Sequence, residues 1–287
     1  MMRFAHISDL HFGSFSLSPF QFFSKRWVGN FNYLLTRRHL FSYNRLISLI
    51  SLFKREKVTH ILITGDFTVT GRKMEFKMGQ RFVQLLEKEG FTVFTIPGNH
   101  DHYTKRNYRK KHFYSFFNSL FDPTCPLNLK DDKVTYTKLQ EHLWLVALDT
   151  AVATSLASSE GYFSKKVEEN LEKALAHIPS KDTILLLNHY PFFQNDPVKK
   201  QLVGAPMLKN LIQKHSNILL YLHGHTHRQV VADLRPNDLP ILSDSGSTPH
   251  IKNGGCHLFQ IQPDSINLQV YRYDEQWKET QTHNFNR

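Results

Sequence analysis

The sequence predicts an α/β fold, in which helices cover a mainly parallel β-sheet and a strand-rich end completes the chain. Short apolar runs alternate with stretches of helical apolar spacing over the first two-thirds of the 287 residues. Such alternation is typical of a parallel sheet with helical crossovers. In the last third, β-like runs follow one another between Pro, Asn, Asp and Gly. No internal repeat or low-complexity segment divides the chain, so we expect a single domain over residues 1–287.

Each element is predicted from its apolar pattern and from the residues that end it. The predicted strands are short apolar runs at 4–7, 60–64, 92–96, 143–148, 183–187 and 218–222. Apolar residues three and four positions apart predict helices over 45–54, 74–89, 165–176 and 205–214. The β-like runs that complete the chain lie at 229–232, 240–242, 257–261 and 266–271. Gly65 and Pro97-Gly98 follow two of the strands and predict turns there.

Composition excludes several classes of protein. Hydrophobic residues make up 40% of the chain, which is enough for a core, and the longest strongly apolar stretch, 46–53, is far short of the ~20 residues that cross a bilayer. The two cysteines, Cys125 and Cys256, lie in unrelated contexts, which excludes a disulfide framework and a CxxC zinc site. They fit a reducing compartment, and no secretory signal pattern is evident, so we expect a cytoplasmic protein.

The charge of the chain favours anionic partners. Its 36 Lys and Arg residues outnumber its 25 Asp and Glu residues, which gives a formal charge of +11. A basic surface attracts nucleotides, nucleic acid or acidic lipid. The 17 histidines add side chains that bind metals and transfer protons near neutral pH.

Five predicted strands end in Asp, Asn or His. The segments are Ser8-Asp9-Leu10-His11, Gly65-Asp66, Pro97-Gly98-Asn99-His100-Asp101, Asn188-His189-Tyr190-Pro191 and His223-Gly224-His225-Thr226-His227. Ligands of open parallel sheets bind beyond the carboxyl ends of the strands, so we expect these side chains to meet at one edge. The neighbouring His6, His102 and His223 point the other way on an extended chain and are expected to be structural or to support the ligands without binding metal.

These side chains suit a pair of divalent metal ions. Carboxylate, carboxamide oxygen and neutral imidazole are ligands for manganese, iron or zinc. The spacing in Asp9-x-His11 and His225-x-His227 would place both side chains of each pair on one side of an extended backbone. Two ions about 3.5–4 Å apart can hold a phosphate and turn a bridging water into hydroxide, which attacks phosphorus in line. The pattern therefore predicts a dinuclear phosphoesterase.

The same series of motifs resembles the calcineurin-like metallophosphoesterase superfamily. The resemblance implies a four-layer α/β/β/α sandwich with mixed sheets and a metal site at the strand ends. It implies that one ion is held by Asp9, His11, Asp66 and His227, and the second by Asp66, Asn99, His189 and His225. It also implies that His100 binds the phosphoryl group and protonates or stabilises the leaving oxygen. Asp101 would orient His100 by accepting its other ring hydrogen.

Finer details are similar to one branch of the superfamily, the class III cyclic-nucleotide phosphodiesterase group. They are residues 7–12 (Ile-Ser-Asp-Leu-His-Phe), the Gly-Asn-His-Asp segment at 98–101 and His189-Tyr190-Pro191-Phe192. The leading hypothesis is a phosphodiesterase that acts on a small anionic phosphate substrate. The alternative is a pyrophosphatase of lipid A synthesis, which shares the ligands and cleaves a UDP-diacylglucosamine-type lipid at a membrane surface.

Residues 13–42 form an insertion that the predicted scaffold does not require. It contains the aromatic and basic residues Phe15, Phe20, Phe22, Phe23, Lys25, Arg26, Trp27, Phe31, Tyr33, Arg37 and Arg38. We expect the insertion to act as a cap, and residues 19–38 are candidates for peripheral contact with lipid at the inner face of the membrane. Nucleic acid is not an expected partner, because superfamily nucleases carry a longer C-terminal capping region. A scaffold without catalysis is disfavoured, since all seven candidate ligands are present.

Overall fold

Two β-sheets lie face to face, and helices cover the outer face of each. The computed structural model describes residues 2–14, 26, 39–155, 157–193 and 195–287. Its strands are β1 (Arg3–Ile7), β2 (His60–Ile63), β3 (Thr92–Thr95), β4 (Val134–Gln140), β5 (Leu143–Leu148), β6 (Gly161–Tyr162), β7 (Thr183–Leu187), β8 (Leu202–Val203), β9 (Ile218–His223), β10 (Gln229–Asp233), β11 (Ile241–Ser245), β12 (Gly255–Ile261), β13 (Ser265–Asp274) and β14 (Gln276–Asn286). Its α-helices are α1 (Tyr43–Arg55), α2 (Lys73–Lys88), α3 (Lys105–Arg109), α4 (Lys165–His177) and α5 (Ala205–Gln213).

Both large sheets are mixed. The first has the strand order β14-β13-β12-β1-β2-β3, with β1, β2 and β3 parallel and the other three strands antiparallel to their neighbours. The second has the order β10-β11-β9-β7-β5-β4, in which β11, β9, β7 and β5 are parallel. Strands β10 and β4 close its two edges antiparallel. The carboxyl ends of the inner strands therefore face one edge in each sheet.

Apolar side chains form three layers of core. Between the sheets, the ring of Phe4 stacks on that of Phe259 at 5.0 Å, and both pack with leucines of the second sheet such as Leu185. The buried side of α1 and α2 covers the outer face of the first sheet, as with Phe53. The helices α4 and α5 cover the second sheet in the same way, as with Leu171. The four-layer α/β/β/α prediction is confirmed.

The structure adds strands that the apolar pattern did not predict. The predicted elements are all present, with ends shifted by a few residues at most. Strands β4, β6, β8 and β14 were not predicted, and the mainly parallel single sheet is in fact two mixed sheets with a separate pair, β6 and β8. In β14 only Trp277 is buried, because the strand lies at the edge of its sheet and is held by its pairing with β13. A polar edge strand has no apolar periodicity to detect.

A set of buried polar side chains bridges the two sheets. Ser243 of β11 places its Oγ 2.9 Å from Nδ1 of His6 and 2.8 Å from Nδ1 of His257, two residues of the first sheet. The Nε2 of His6 lies 2.9 Å from Oγ1 of Thr64. Burial lowers the pKa of His257 to about 3. Burial, followed by the repulsion between protonated forms of His6 and His257, also lowers the pKa of His6 well below its usual value. Both rings are therefore neutral at neutral pH.

The residues of the insertion lie mostly outside the described part of the chain. Of the segment 19–38, only Arg26 is described, so the predicted lipid contact falls outside the described residues. The single-domain organisation with a cap at 13–42 stays a prediction. Among the described residues, none of the helices combines the length and the apolar character needed to span a bilayer.

The neutral state of His257 predicts how stability depends on pH. Below its usual pKa the unfolded chain binds a proton that the folded chain does not, so the free energy of unfolding falls as the pH falls. One such histidine contributes at most about 1.4 kcal/mol per pH unit, or about 2.3 kcal/mol between pH 6.5 and pH 4.5, because the unfolded histidine is already half protonated at pH 6.5. In urea titrations at these two pH values, we expect His257→Asn to lose less stability than the natural sequence, by up to that amount. Equal losses would contradict a neutral His257.

Candidate metal centre

The loops that follow β1, β2, β3, β7 and β9 meet at the edge where these parallel strands end. The backbone amide of Asp9 donates to the carbonyl oxygen of Gly65 (3.1 Å), and that of Gly224 donates to the carbonyl oxygen of His189 (3.1 Å). A hydrogen bond between the two sheets joins the loop of Asp9 to the loop of Gly224, since the amide of His225 donates to Oδ2 of Asp9 (3.0 Å). The five strand ends therefore converge, as the sequence predicts.

The backbone at the candidate ligands is left-handed rather than extended. Five of them have a positive φ: Asp9 (53°), His11 (47°), Asp66 (54°), His225 (67°) and His227 (54°). Strands β1 and β9 end before these residues. The expectation that extended backbone aligns the pairs is wrong, because tight turns aim both side chains of each pair at the site. Positive φ at a non-glycine residue costs about 1–3 kcal/mol, which the surrounding structure must offset.

One group of donor atoms consists of Asp9, His11 and His227. The Nε2 of His227 lies 3.1 Å from Nε2 of His11 and 3.1 Å from Oδ1 of Asp9. The Nε2 of His11 lies 3.7 Å from the same oxygen. Asp9 and His11 are fully buried, whereas the side chain of His227 is 33% exposed. This group could hold one metal ion.

A second group of donor atoms lies beside the first, with Asp66 between them. The Oδ2 of Asp66 is 4.0 Å from Nε2 of His11 and 3.6 Å from Nε2 of His189. The Oδ1 of Asn99 is 3.2 Å from Nε2 of His189 and 2.9 Å from Nδ1 of His225. The structure thus brings together all seven side chains that the sequence singled out as metal ligands.

Hydrogen bonds outside the centre select the nitrogen that His189 and His225 present to it. The Nδ1 of His189 donates to the carbonyl oxygen of Thr64 (2.7 Å), and the Nε2 of His225 donates to that of Lys200 (2.8 Å). In a neutral ring the other nitrogen carries a lone pair. Both lone pairs face Oδ1 of Asn99, and acceptors this close repel one another unless a cation lies among them. The nitrogen and oxygen donors therefore fit divalent ions such as manganese, iron or zinc.

The two carboxylates are oriented in a comparable way. The Oδ2 of Asp9 accepts from Oγ of Ser8 (2.6 Å), and the Oδ1 of Asp66 accepts from the amide of His100 (2.8 Å). One oxygen of each carboxylate is held by the protein, and the other faces the imidazoles. Such supporting bonds fix the direction of a ligand and raise its affinity for metal.

The protonation states at neutral pH suit metal binding. Burial lowers the pKa of His189 and lowers that of His225 to about 3, so both rings are neutral. Burial alone would raise the pKa of Asp9, but the surrounding imidazoles, that of His227 first, hold this pKa well below its usual range. Carboxylate and neutral imidazole are the forms that coordinate metal ions.

The ring of His100 lies beside both groups. Its Nδ1 donates to the carbonyl oxygen of Val69 (2.6 Å), which fixes the plane of the ring. Its centroid is 4.9 Å from that of His11 and 5.7 Å from that of Tyr103. One of its nitrogens lies within 4.8 Å of donor atoms of His11 and Asp66. An acid–base side chain is therefore placed at the edge of the centre.

The predicted contact between Asp101 and the ring of His100 is wrong. The buried carboxylate of Asp101 accepts from the amides of Gly98 (3.0 Å), Phe67 (3.2 Å) and Thr68 (3.0 Å), and from Oγ1 of Thr68 (3.0 Å). The turn at 98–101 directs this side chain toward the loop after β2, and the carbonyl of Val69 orients His100 instead. Burial raises the pKa of Asp101 to about 6, although these hydrogen bonds lower it.

A further loop was missed by sequence reasoning. It follows β11 and supports Asp9, since the Oγ of Ser247 donates to the carbonyl oxygen of Asp9 (2.7 Å). The amide of Thr248 donates to the carbonyl oxygen of Ser8 (3.0 Å), and its Oγ1 accepts from the amide of Ser8 (3.1 Å). The Ser-Gly-Ser-Thr segment at 245–248 could have indicated this loop, because it follows a predicted strand in the same way as the ligand motifs do.

The three histidines expected to be structural do lie away from the donor groups. His6 belongs to the bridge between the sheets. The Nε2 of His102 is 3.5 Å from Oδ2 of the buried Asp149, and the Nδ1 of His223 donates to the carbonyl oxygen of Gly224 (3.0 Å). Asp149 also accepts from the hydroxyl of Tyr114 (2.6 Å), so it belongs to the interior.

Two glycines of the motifs permit the close packing of the centre. A Cβ on Gly98 would lie 2.2 Å from Oδ1 of Asp66. A Cβ on Gly224 would lie 1.9 Å from Oγ of Ser8 and 2.3 Å from Oδ2 of Asp9. Contacts this short do not occur, so any side chain at either position would displace a carboxylate.

Comparisons with known proteins agree with this site. The profile of the family described as calcineurin-like phosphoesterase matches residues 2–229. A probable glycerophosphodiester phosphodiesterase, GpdQ of Arcobacter nitrofigilis, is 25% identical over 253 residues, which are 85% of this chain and 84% of the relative. The 3′,5′-cyclic adenosine monophosphate phosphodiesterase CpdA of Haemophilus influenzae is 24% identical over 225 residues, 78% of this chain and 70% of the relative. A dimetal phosphatase from Danio rerio has the same fold, with a TM-score of 0.69, 13% identity and coverage of 99% and 98% of the two chains.

The fold and the cluster of donors at its strand ends define a metal-dependent hydrolase of phosphoric esters. This chain belongs to the calcineurin-like phosphoesterase family, whose profile covers most of its length. The resemblance inferred from the motifs is thereby confirmed, and so is the class of enzyme. Both curated relatives are phosphodiesterases by name, in line with the cyclic-nucleotide phosphodiesterase group.

The close packing of Gly98 against Asp66 leads to a prediction about the metal content of a variant. We expect Gly98→Ala to reduce the metal bound per chain, because the new methyl group would displace the carboxylate of Asp66. The control is Gly90→Ala, at a glycine with a φ of 96° and no atom within 4 Å of the added Cβ. It should lower the melting temperature without loss of metal. Elemental analysis after gel filtration gives the metal content, and a full complement in Gly98→Ala would contradict the packing described here.

Proposed function

We propose that this chain hydrolyses phosphodiester bonds of a small anionic substrate at a two-metal centre. The observation that carries the proposal is the position of Asp66, whose Oδ2 faces Nε2 of His11 at 4.0 Å and Nε2 of His189 at 3.6 Å. A carboxylate that is shared by two groups of donors can hold two ions at the short separation that phosphate hydrolysis uses.

Each ion would take four protein ligands. The first set is Asp9, His11, Asp66 and His227, and the second is Asp66, Asn99, His189 and His225. Manganese, iron and zinc all accept such a mixture of nitrogen and oxygen donors. When bound, the ions supply positive charge for the phosphate oxygens and lower the pKa of water.

His100 is the proposed acid–base residue. Since its Nδ1 donates to the carbonyl of Val69, Nε2 is the nitrogen that would reach the substrate. The oxygen of water bonds to phosphorus and releases one proton, the bond from phosphorus to the leaving oxygen breaks, and His100 in its protonated form would give its Nε2 proton to that oxygen. The proton that water releases then restores the protonated ring. Asp101 contributes indirectly, because it holds the loop after β2 that presents Val69.

Two observations support a small diester as the substrate. The relatives with the printed names GpdQ and CpdA are a probable glycerophosphodiesterase and a cyclic-nucleotide phosphodiesterase. The formal charge of +11 favours association with an anion. The lipid pyrophosphatase alternative depends on residues 19–38, and no contact of the described residues favours it.

A pair of chromogenic substrates tests the class of reaction. With manganese supplied, we expect the phosphodiester to be hydrolysed faster than the corresponding monoester, and a chelator to abolish both activities. A panel with a cyclic nucleotide, a glycerophosphodiester and a nucleotide diphosphate lipid would then rank the substrates. Faster cleavage of the lipid pyrophosphate than of every diester would favour the alternative, and a protein without metal or activity would be a scaffold.

Two substitutions separate metal binding from proton transfer. We expect Asp66→Asn to lose metal and nearly all activity, because the amide lacks the charge that both ions share. We expect His100→Ala to keep its metal and to slow turnover by about 10²–10⁴-fold, the usual size of an acid–base contribution. The control His215→Ala removes a histidine outside the two donor groups and should change neither quantity. Equal loss of metal in the first two variants would contradict the role of His100.

A further inference from the structure

Arg26 is the one residue between 15 and 38 that the structure describes, and its guanidinium binds the loop after β2. Its Nε donates to the carbonyl oxygen of Thr70 (3.2 Å), and its Nη2 donates to that of Gly71 (2.8 Å). The same Nη2 donates to Oδ1 of the buried Asn107 (3.1 Å). None of the ion pairs found among the described residues involves Arg26, so its charge is used to hold two backbone carbonyls and one amide side chain.

The carbonyl immediately before these two is the one that orients His100. Val69, Thr70 and Gly71 are consecutive, so the three carbonyls belong to one short loop: the first accepts from Nδ1 of His100 and the next two accept from Arg26. The three carbonyls lie on adjacent peptide planes that share Cα atoms, so we expect a displacement of the second or third plane to be passed on to the first.

The rest of this loop is held from its other side by Glu75. This fully buried carboxylate accepts from the amide of Thr70 (2.8 Å), from its Oγ1 (2.9 Å) and from the amide of Arg72 (3.1 Å). Glu75 therefore fixes the amide side of Thr70, and Arg26 fixes its carbonyl side. Asn107 reinforces this arrangement, because its Nδ2 donates to the carbonyl oxygen of Gly71 (2.5 Å).

We infer that Arg26 is a positioning residue for His100. By holding the carbonyls of Thr70 and Gly71, it keeps the carbonyl of Val69 where it fixes the ring of His100 beside the donor groups. The hydrogen bonds of Arg26 to the described residues go to Thr70, Gly71 and Asn107, so its effect on His100 is expected to pass through the loop. The inference rests on the proposed acid–base role of His100.

A double-mutant cycle tests it on the metal-loaded enzyme with a chromogenic phosphodiester. We expect Arg26→Ala to lower kcat by about 10–100-fold, the size of a small displacement of a catalytic group, with little change in KM or in metal content. In the His100→Ala background the same substitution should have no further effect, because the group it positions is absent. Arg26→Lys should recover part of the loss, since one ammonium can reach one of the two carbonyls.

The matched control is Arg106→Ala, which removes the same charge from an exposed position next to Asn107. It should leave kcat unchanged, which separates positioning from long-range attraction of the substrate. Multiplicative losses in the double mutant, a change confined to KM, or loss of metal in Arg26→Ala would each overturn the inference. If His100→Ala alone is fully active, the proposed role of His100 fails. If it is slow but the losses multiply, only the role of Arg26 fails.

Discussion

The carboxylate of Asp66 is the constraint on which the rest of the centre depends. It follows β2 of the first sheet, yet its Oδ2 faces His189, which follows β7 of the second. Its other oxygen is held by the amide of His100. The side chain of Asp66 can reach His189 and the amide of His100 together only if the strands of both sheets end at the same edge. The distance between the two sheets must also be fixed. The packed layer between them, where Phe4 stacks on Phe259, sets that separation.

The centre carries two unfavourable features that the fold must offset. Five candidate ligands have left-handed backbone, and lone pairs of His189, His225 and Asn99 face one another in a buried space. The facing lone pairs concentrate negative potential where cations would bind, and the left-handed turns direct the side chains to that place. The stabilising contacts lie just outside, in the bonds that Thr64 and Lys200 make to the rear of the histidine rings. Strain of this kind is found at functional sites, where the surrounding structure holds it in place.

The loop after β2 connects the candidate metal centre with the proposed acid–base residue His100. It begins with the candidate ligand Asp66 and, three residues later, presents the carbonyl of Val69 to His100. Asp101 holds the start of the loop, whereas Glu75 and Arg26 hold its middle. A segment that supports both the metal centre and the acid–base residue must be rigid, and the buried carboxylates of Asp101 and Glu75, with the partly buried guanidinium of Arg26, hold it in place.

The sequence by itself determined the order of the elements, the strand ends that carry chemistry and the residue types that suit metal ions. These features are readable because apolar periodicity and turn residues act over a few neighbouring positions. The polar edge strand β14, the left-handed ligand backbone and the carbonyl that orients His100 were decided by tertiary structure alone. So was the choice of nitrogen on the rings of His189 and His225, which depends on the carbonyls of Lys200 and of Thr64, the latter 125 positions before His189. Contacts between residues so far apart in the chain produce no periodic pattern in the sequence, because they form only when the two sheets pack together.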